Sequence, residues 1–139
     1  MRNELRDNQA PTDIFRFRES AEDRVGYLDG SLVVYRLHFD DGIAIGRVDL
    51  DGRVFRMGSV VDREVGVAAK DGMVHSHGLL EGGPLGWVDA NGIVTQAGLL
   101  FGETEIGRVA GPQTAAAAAA LLLLFLPDEQ EANRDAERA

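Results

Sequence analysis

His75 and His77 stand two residues apart in "VHSHG", a spacing that puts both imidazoles on one face of an extended strand. Two imidazoles so placed can share a metal ion, but a metal centre also wants a third ligand and an oriented carboxylate or water behind it. His38 is the only other histidine, and the chain has no cysteine, so disulfides, thiolate ligands and cysteine nucleophiles are excluded. A metal-dependent hydrolase using His75 and His77 is one reading of the chain, and it lacks a visible third ligand.

Carboxylates also come in pairs: Asp40 with Asp41, Asp49 with Asp51, Asp62 with Glu64, Glu103 with Glu105. Acid–base work needs two carboxyls whose surroundings push their pKa values apart. These pairs sit at turns, where Asp bonds its own backbone and tolerates left-handed geometry. The D-x-D-G at 49–52 lacks the remaining ligands of an EF-hand loop. Ser20, Ser31, Ser59 and Ser76 are in no nucleophile-elbow context, and no glycine opens a helix as a phosphate cradle would. The expectation is a protein that is not an enzyme and takes no cofactor.

The elements that position these residues follow from a repeat. The chain of 139 residues has 17 glycines, about 12% against a usual ~7%. "IGRVDLDGRVFRMGSVVDRE" (45–64), "VGVAAKDGMVHSHGLLEGGP" (65–84) and "LGWVDANGIVTQAGLLFGET" (85–104) align without a gap at a period of 20. Their landmarks are Gly46, Gly66 and Gly86, then Gly52, Gly72 and Gly92 after Asp or Asn, then Gly58, Gly78 and Gly98. "VGYLDGSLVVYRLHFDDG" (25–42) keeps Gly26 and Val34 in register but moves its Asp-Gly two residues earlier, which predicts a tighter turn. "IGRVAG" (106–111) supplies half a unit through Gly107, and "IFRFRES" (14–20) the other half.

Asp51-Gly52, Asp71-Gly72 and Asn91-Gly92 between apolar runs predict type I′ hairpins. The count is about ten strands in five hairpin pseudo-repeats, a short closed antiparallel barrel whose closure removes exposed edges. Alternation puts Gly46 with Val48, Gly66 with Ala68, Gly86 with Val88 and Gly107 with Val109 on a small apolar inner face. Arg56, Ser76 and Gln96 fall on the inner face as well, which suggests places near a rim. Phe55, Trp87 and Phe101 are candidates for an aromatic contact surface, and Trp87 on the outer face is the chosen binding residue.

"AAAAAALLLLFL" (115–126) has no polar face, so as a helix it must be buried in protein or in lipid. Pro112 and Thr114 precede it as start signals and Pro127 follows as a stop, giving a helix over 114–126. Its length of about 18 Å falls short of a hydrocarbon core near 30 Å. A ten-stranded barrel has a radius on the order of 10 Å and a height of about 15 Å, and lined with Gly, Val and Ala it needs a slim filler. The expected organisation is a flexible segment over 1–13, one barrel domain over 14–126 including its central helix, and a charged tail over 127–139.

Glycine-marked hairpins repeated around a short ten-stranded barrel resemble the bacterial β-flower proteins, whose petals are similar to the tubby C-terminal domain and to scramblase-like proteins with a central hydrophobic helix. The resemblance implies a fold and brings no established activity. Tubby-type domains bind phosphoinositides through basic residues, and this chain has no comparable cluster. The net charge of −9 is spread along the whole chain, which disfavours nucleic acid and anionic lipid. The polar start contains no apolar signal region, so a cytoplasmic monomer is expected. The function expected is a binding or scaffold module for a protein or a small apolar or lipid ligand. Peripheral membrane association through the helix is an alternative.

Overall fold

The computed structural model describes residues 10–77, 84–98 and 102–138. Ten strands form the wall: β1 (Thr12–Arg18), β2 (Ala21–Leu28), β3 (Val33–His38), β4 (Asp41–Val48), β5 (Arg53–Arg56), β6 (Arg63–Ala68), β7 (Met73–Ser76), β8 (Gly86–Val88), β9 (Ile93–Gln96) and β10 (Thr104–Ala110). Each pairs antiparallel with its sequence neighbour, and β1 pairs with β10 to close the barrel. The chain ends therefore complete one hairpin between them, as the half units at 14–20 and 106–111 predict. Gly78 and Phe101 lie outside the described residues.

The Asx-Gly turns differ from the expected type I′. Only the glycine of each has positive φ, at 87° in Gly52, 89° in Gly72 and 83° in Gly92. In two of them the organising acid stands three residues earlier: Asp49 Oδ1 accepts from the N–H groups of Asp51 and Arg53, and Asp89 Oδ1 from those of Asn91 and Ile93, whereas Ala69 holds that place before Gly72 and Asp71 Oδ1 accepts from Met73 N–H. Asp29 does the same for Ser31 and Val33, so the first unit keeps the common turn and is not tighter. Its left-handed position is filled by Leu32 at φ 66°, a costly choice for a side chain with a Cβ. The carbonyls of Leu32, Gly52, Gly72 and Gly92 each accept from the next unit's strand, at Val48, Ala68, Val88 and Val109, which locks unit to unit.

Inside the wall the alternation of faces is broken once in each of four hairpins. Ile14 pairs with Gly26 and Phe15 with Arg24, so Val25 is an extra, bulged residue; Ile45, Val65 and Ile106 are bulged in the same way. These apolar residues turn toward the core together with the glycines that follow them. A Cβ on Gly107, Gly86, Gly66, Gly46 or Gly26 would stand 2.8, 2.8, 2.7, 2.6 and 2.6 Å from Leu121, Leu122, Leu123, Leu124 and Phe125 respectively. It would also strike a carbonyl oxygen of the paired strand. Five consecutive helical residues thus address five consecutive hairpins.

That correspondence accounts for the shape of the helix. Five hairpins around a circle ask for about 72° per residue, whereas an α-helix turns by about 100°. After α1 (Thr114–Ala120) the chain enters a π-helical turn (Leu121–Phe125), in which Leu126 N–H bonds to the Leu121 carbonyl. A five-residue hydrogen-bond reach widens the turn toward the spacing the wall demands. Ala117 through Ala120 are wholly buried below it, where the barrel admits only methyl groups.

Pro127 does not stop the helix, which continues as α2 (Leu126–Arg138). The ladder is already re-registered by the π turn, so Pro127 falls at the second residue of a new segment, near the position where its missing N–H is tolerated. Two residues of the expected flexible segment over 1–13, Thr12 and Asp13, are part of the barrel wall. Thr12 belongs to β1, is wholly buried, and its Oγ1 accepts from Gln113 N–H at 2.9 Å just before α1.

Candidate functional site

The barrel has two ends, and chemistry gathers at the one where the helix leaves. There each core glycine pairs across the sheet with one rim residue: Gly107 with Arg16, Gly26 with Arg36, Gly46 with Arg56, Gly66 with Ser76 and Gly86 with Gln96. These five positions are spaced by 20 residues and ring the mouth. Sequence reasoning reached Arg56, Ser76 and Gln96; extending the period back to 36 and 16 would have found the rest.

The arginine half of the ring holds the start of α2. Arg16 makes a two-pronged contact with Glu129, Nε to Oε2 at 3.1 Å and Nη2 to Oε1 at 3.0 Å, and its Nη1 reaches the Ile106 carbonyl at 2.9 Å. Asp128 accepts from Arg36 and from Arg56, the latter at 2.9 Å between Nη1 and Oδ1. Arg56 Nη2 also donates to the Leu124 carbonyl at 3.2 Å, in the turn where Pro127 offers no N–H. Arg18 adds a contact to Glu129 at 3.4 Å. The charged tail is thus anchored at its first turn.

α2 divides the mouth. On the arginine side is a cleft of about 360 Å³ between the first two hairpins, floored by Leu121 and Phe125. On the other side is a cleft of about 460 Å³, bounded by Arg56, Ser76, Gln96 and Gln130 over a floor of Leu122, Leu123 and Leu126. Arg63, Glu64 and His77 stand at its border. The second cleft offers the neutral groups Ser76, Gln96 and Gln130, with Arg56, Arg63 and Glu64 among its walls, above an apolar surface, and an apolar floor under a few polar groups is the ordinary make-up of a small-molecule site.

His77 is at that border and its Nε2 contacts Glu64, while His75 pairs across the sheet with Val67. Among the described residues no three His, Asp or Glu side chains gather into a metal-holding group. Trp87 is half-buried, opposite Thr95 and beside Met73. Elsewhere on the outer wall Tyr27 stacks on Tyr35 at 4.9 Å, Arg47 lies 4.0 Å over Phe55 and Arg108 4.4 Å over Phe15. Of the acid pairs, Asp49 shapes its turn and Asp62 bonds Arg47 at 3.0 Å, and neither faces the mouth cleft. Gly52, Gly72 and Gly92 serve turns, and Gly58 and Gly98 lie exposed just beyond their strands.

The shifted titrations also lie away from the cleft. Desolvation pushes Asp49 up, but the N–H donors of Arg53 and Asp51 with the Arg53 charge outweigh it and hold the carboxyl below its ordinary value. A hydrogen bond from Arg108 lowers Glu22 and raises Arg108 in turn. A hydrogen bond to Asp29 raises Tyr35. No protein-family model, curated protein or solved structure matches this chain.

Proposed function

We propose that this chain is a non-enzymatic binding module built on a β-flower-like barrel, and that it takes its ligand in the cleft on the Ser76 and Gln96 side of the mouth. The observation that carries the reading is how the helix is used. It fills the barrel, so the interior is spent on packing, and an apolar-floored cleft remains where the rim changes from arginine to Ser76 and Gln96. A ligand that fits is a small amphiphile with an apolar body and an uncharged amide or hydroxyl end. The phosphoinositide binding of tubby-type domains does not carry over, because Arg16, Arg36 and Arg56 are engaged by Asp128 and Glu129.

A medium-chain primary amide titrated into the labelled protein tests this. The expected result is shifts at Gln96 and at the methyl groups of Leu122 and Leu123, weakened about tenfold or more by Gln96→Leu. No response at millimolar amide would overturn the reading. Co-flotation with vesicles, with loss of protection over 115–126, would replace it with the alternative in which the helix enters lipid. Among the described residues no helix is long and apolar enough to cross a membrane.

A further inference from the structure

The first two hairpins do not end at the rim. β1 and β2 continue their pairing to Arg18↔Ala21, and β3 and β4 to His38↔Asp41. Their pairing to neighbouring hairpins stops lower: β2–β3 at Gly26↔Arg36, and β4–β5 at Gly46↔Arg56 followed by one bond from Met57 N–H to the Ile45 carbonyl at 3.0 Å. Above those levels each hairpin is a free two-stranded ribbon, and closure of the barrel does not protect its edges.

The two ribbons have the same length and burial pattern but opposite edges. β2 is fenced by charge, with Glu22 bound to Arg108, Asp23 to Arg18 and Arg24 to Asp13. Charged side chains on an edge discourage another strand from adding to it. The matching stretch of β4, Asp41 to Ala44, reads Asp-Gly-Ile-Ala. In an antiparallel ladder every second residue points its N–H and C=O away from the partner. With His38 and Asp41 closing the loop of two residues, those residues are Gly42 and Ala44. Neither has a side chain large enough to obstruct a neighbour.

Exposed apolar side chains lie on this ribbon and on the connection after β5. Phe39 at the ribbon tip is 89% exposed and has φ 57°, so an aromatic residue is held in a strained geometry and left in water. Ile43 is half exposed, and Val60 and Val61 are exposed at 95% and 75% on the connection that follows β5, the strand paired to β4. Asp40 and Asp41 put negative charge beside them. We propose that the β4 edge is a strand-addition site for an extended segment of a partner protein in which apolar and basic side chains alternate. Its backbone pairs with Gly42 and Ala44, its apolar side chains rest on Phe39, Ile43, Val60 and Val61, and its cations answer Asp40 and Asp41. The site is separate from the mouth cleft and stands without it.

The probe is a short blocked peptide of alternating lysine and valine, followed by amide shifts and hydrogen exchange. Slower exchange at Gly42 and Ala44 is expected, with no protection from a peptide N-methylated at every second amide. Ala44→Pro removes the outward N–H without breaking a bond to β3 and should weaken binding at least about tenfold. Ile43→Lys, which fences β4 as β2 is fenced, should do the same, and unchanged melting temperatures would show that both variants fold. The proposal is overturned by protection at Ser76 and Gln96 instead, by equal binding of the N-methylated peptide, or by binding that survives both substitutions. It is also overturned by concentration-dependent dimerisation that Ala44→Pro abolishes, which would assign the edge to a second copy of this chain.

Discussion

The mouth of the barrel is built twice, in two chemistries. At 16, 36 and 56 the ring position is arginine, and the three guanidinium groups close on Asp128 and Glu129. At 76 and 96 it is serine and glutamine, α2 has no acid directed there, and a cleft stays open over Leu122 and Leu123. The backbone beneath is the same in both, a glycine paired to the ring residue and a helical side chain above the glycine. One scaffold position therefore serves as an anchor in three units and as a candidate ligand contact in two. Repetition fixes where a side chain stands, and its chemistry decides what it does there.

The contrast breaks most severely if its common base is removed. Ala118 is wholly buried in the helix, and Ala118→Asp places an unpaired charge inside the barrel. That costs several kcal/mol, a large part of the whole stability of a domain of this size, and circular dichroism should show an unfolded or aggregated chain. Gly66→Val is next, because its side chain meets both Leu123 and the carbonyl of His75. A loss of about 3 kcal/mol or more is expected in denaturant unfolding. Leu123→Ala should recover only the part due to the leucine, since the carbonyl remains.

The two halves of the ring separate at smaller energies. Arg56 and Asp128 are each about a quarter exposed, at 25% and 26%, so Arg56→Met or Asp128→Asn should cost about 1–2 kcal/mol, between an exposed and a buried pair. Gln96→Ala should stay within about 0.5 kcal/mol. Equal losses in both halves would erase the distinction between anchor and ligand contact. The smallest effect is one of pH. Asp49 and Glu22 have folded pKa values below their ordinary 3.8 and 4.5. The folded state binds these protons less tightly than the unfolded chain, so their contribution is full above the ordinary values and is lost as pH falls through the lowered ones. Melting temperature should hold between neutrality and about pH 5 and decline below about pH 4, and Asp49→Asn should flatten that decline.

Much of this molecule is readable in the sequence because each landmark answers a local constraint. Gly66 must be glycine for want of space, and an all-apolar helix of twelve residues must be covered by something. What alternation could not reveal is the bulge at Val25, Ile45, Val65 and Ile106, because an extra residue is visible only against the partner strand. The turn at Asp29 was concealed because Leu32 occupies a place that favours glycine. Pro127 misled for a related reason: proline ends a helix only if the ladder it interrupts is regular, and the π turn at Leu121–Phe125 had already shifted it. The ring at the mouth was half visible, since Ser76 and Gln96 look out of place among small apolar residues while Arg16 and Arg36 blend into charged surroundings.

Consecutive residues of one helical turn address consecutive hairpins. Nuclear Overhauser contacts between leucine methyl groups and glycine Hα protons test it most directly in protein free of detergent. An ordered ladder is expected: Leu121 to Gly107, Leu122 to Gly86, Leu123 to Gly66, Leu124 to Gly46, and the Phe125 ring to Gly26. A helix whose leucines show no contact with these glycines, or whose contacts arise with lipid acyl chains once vesicles are added, would contradict it.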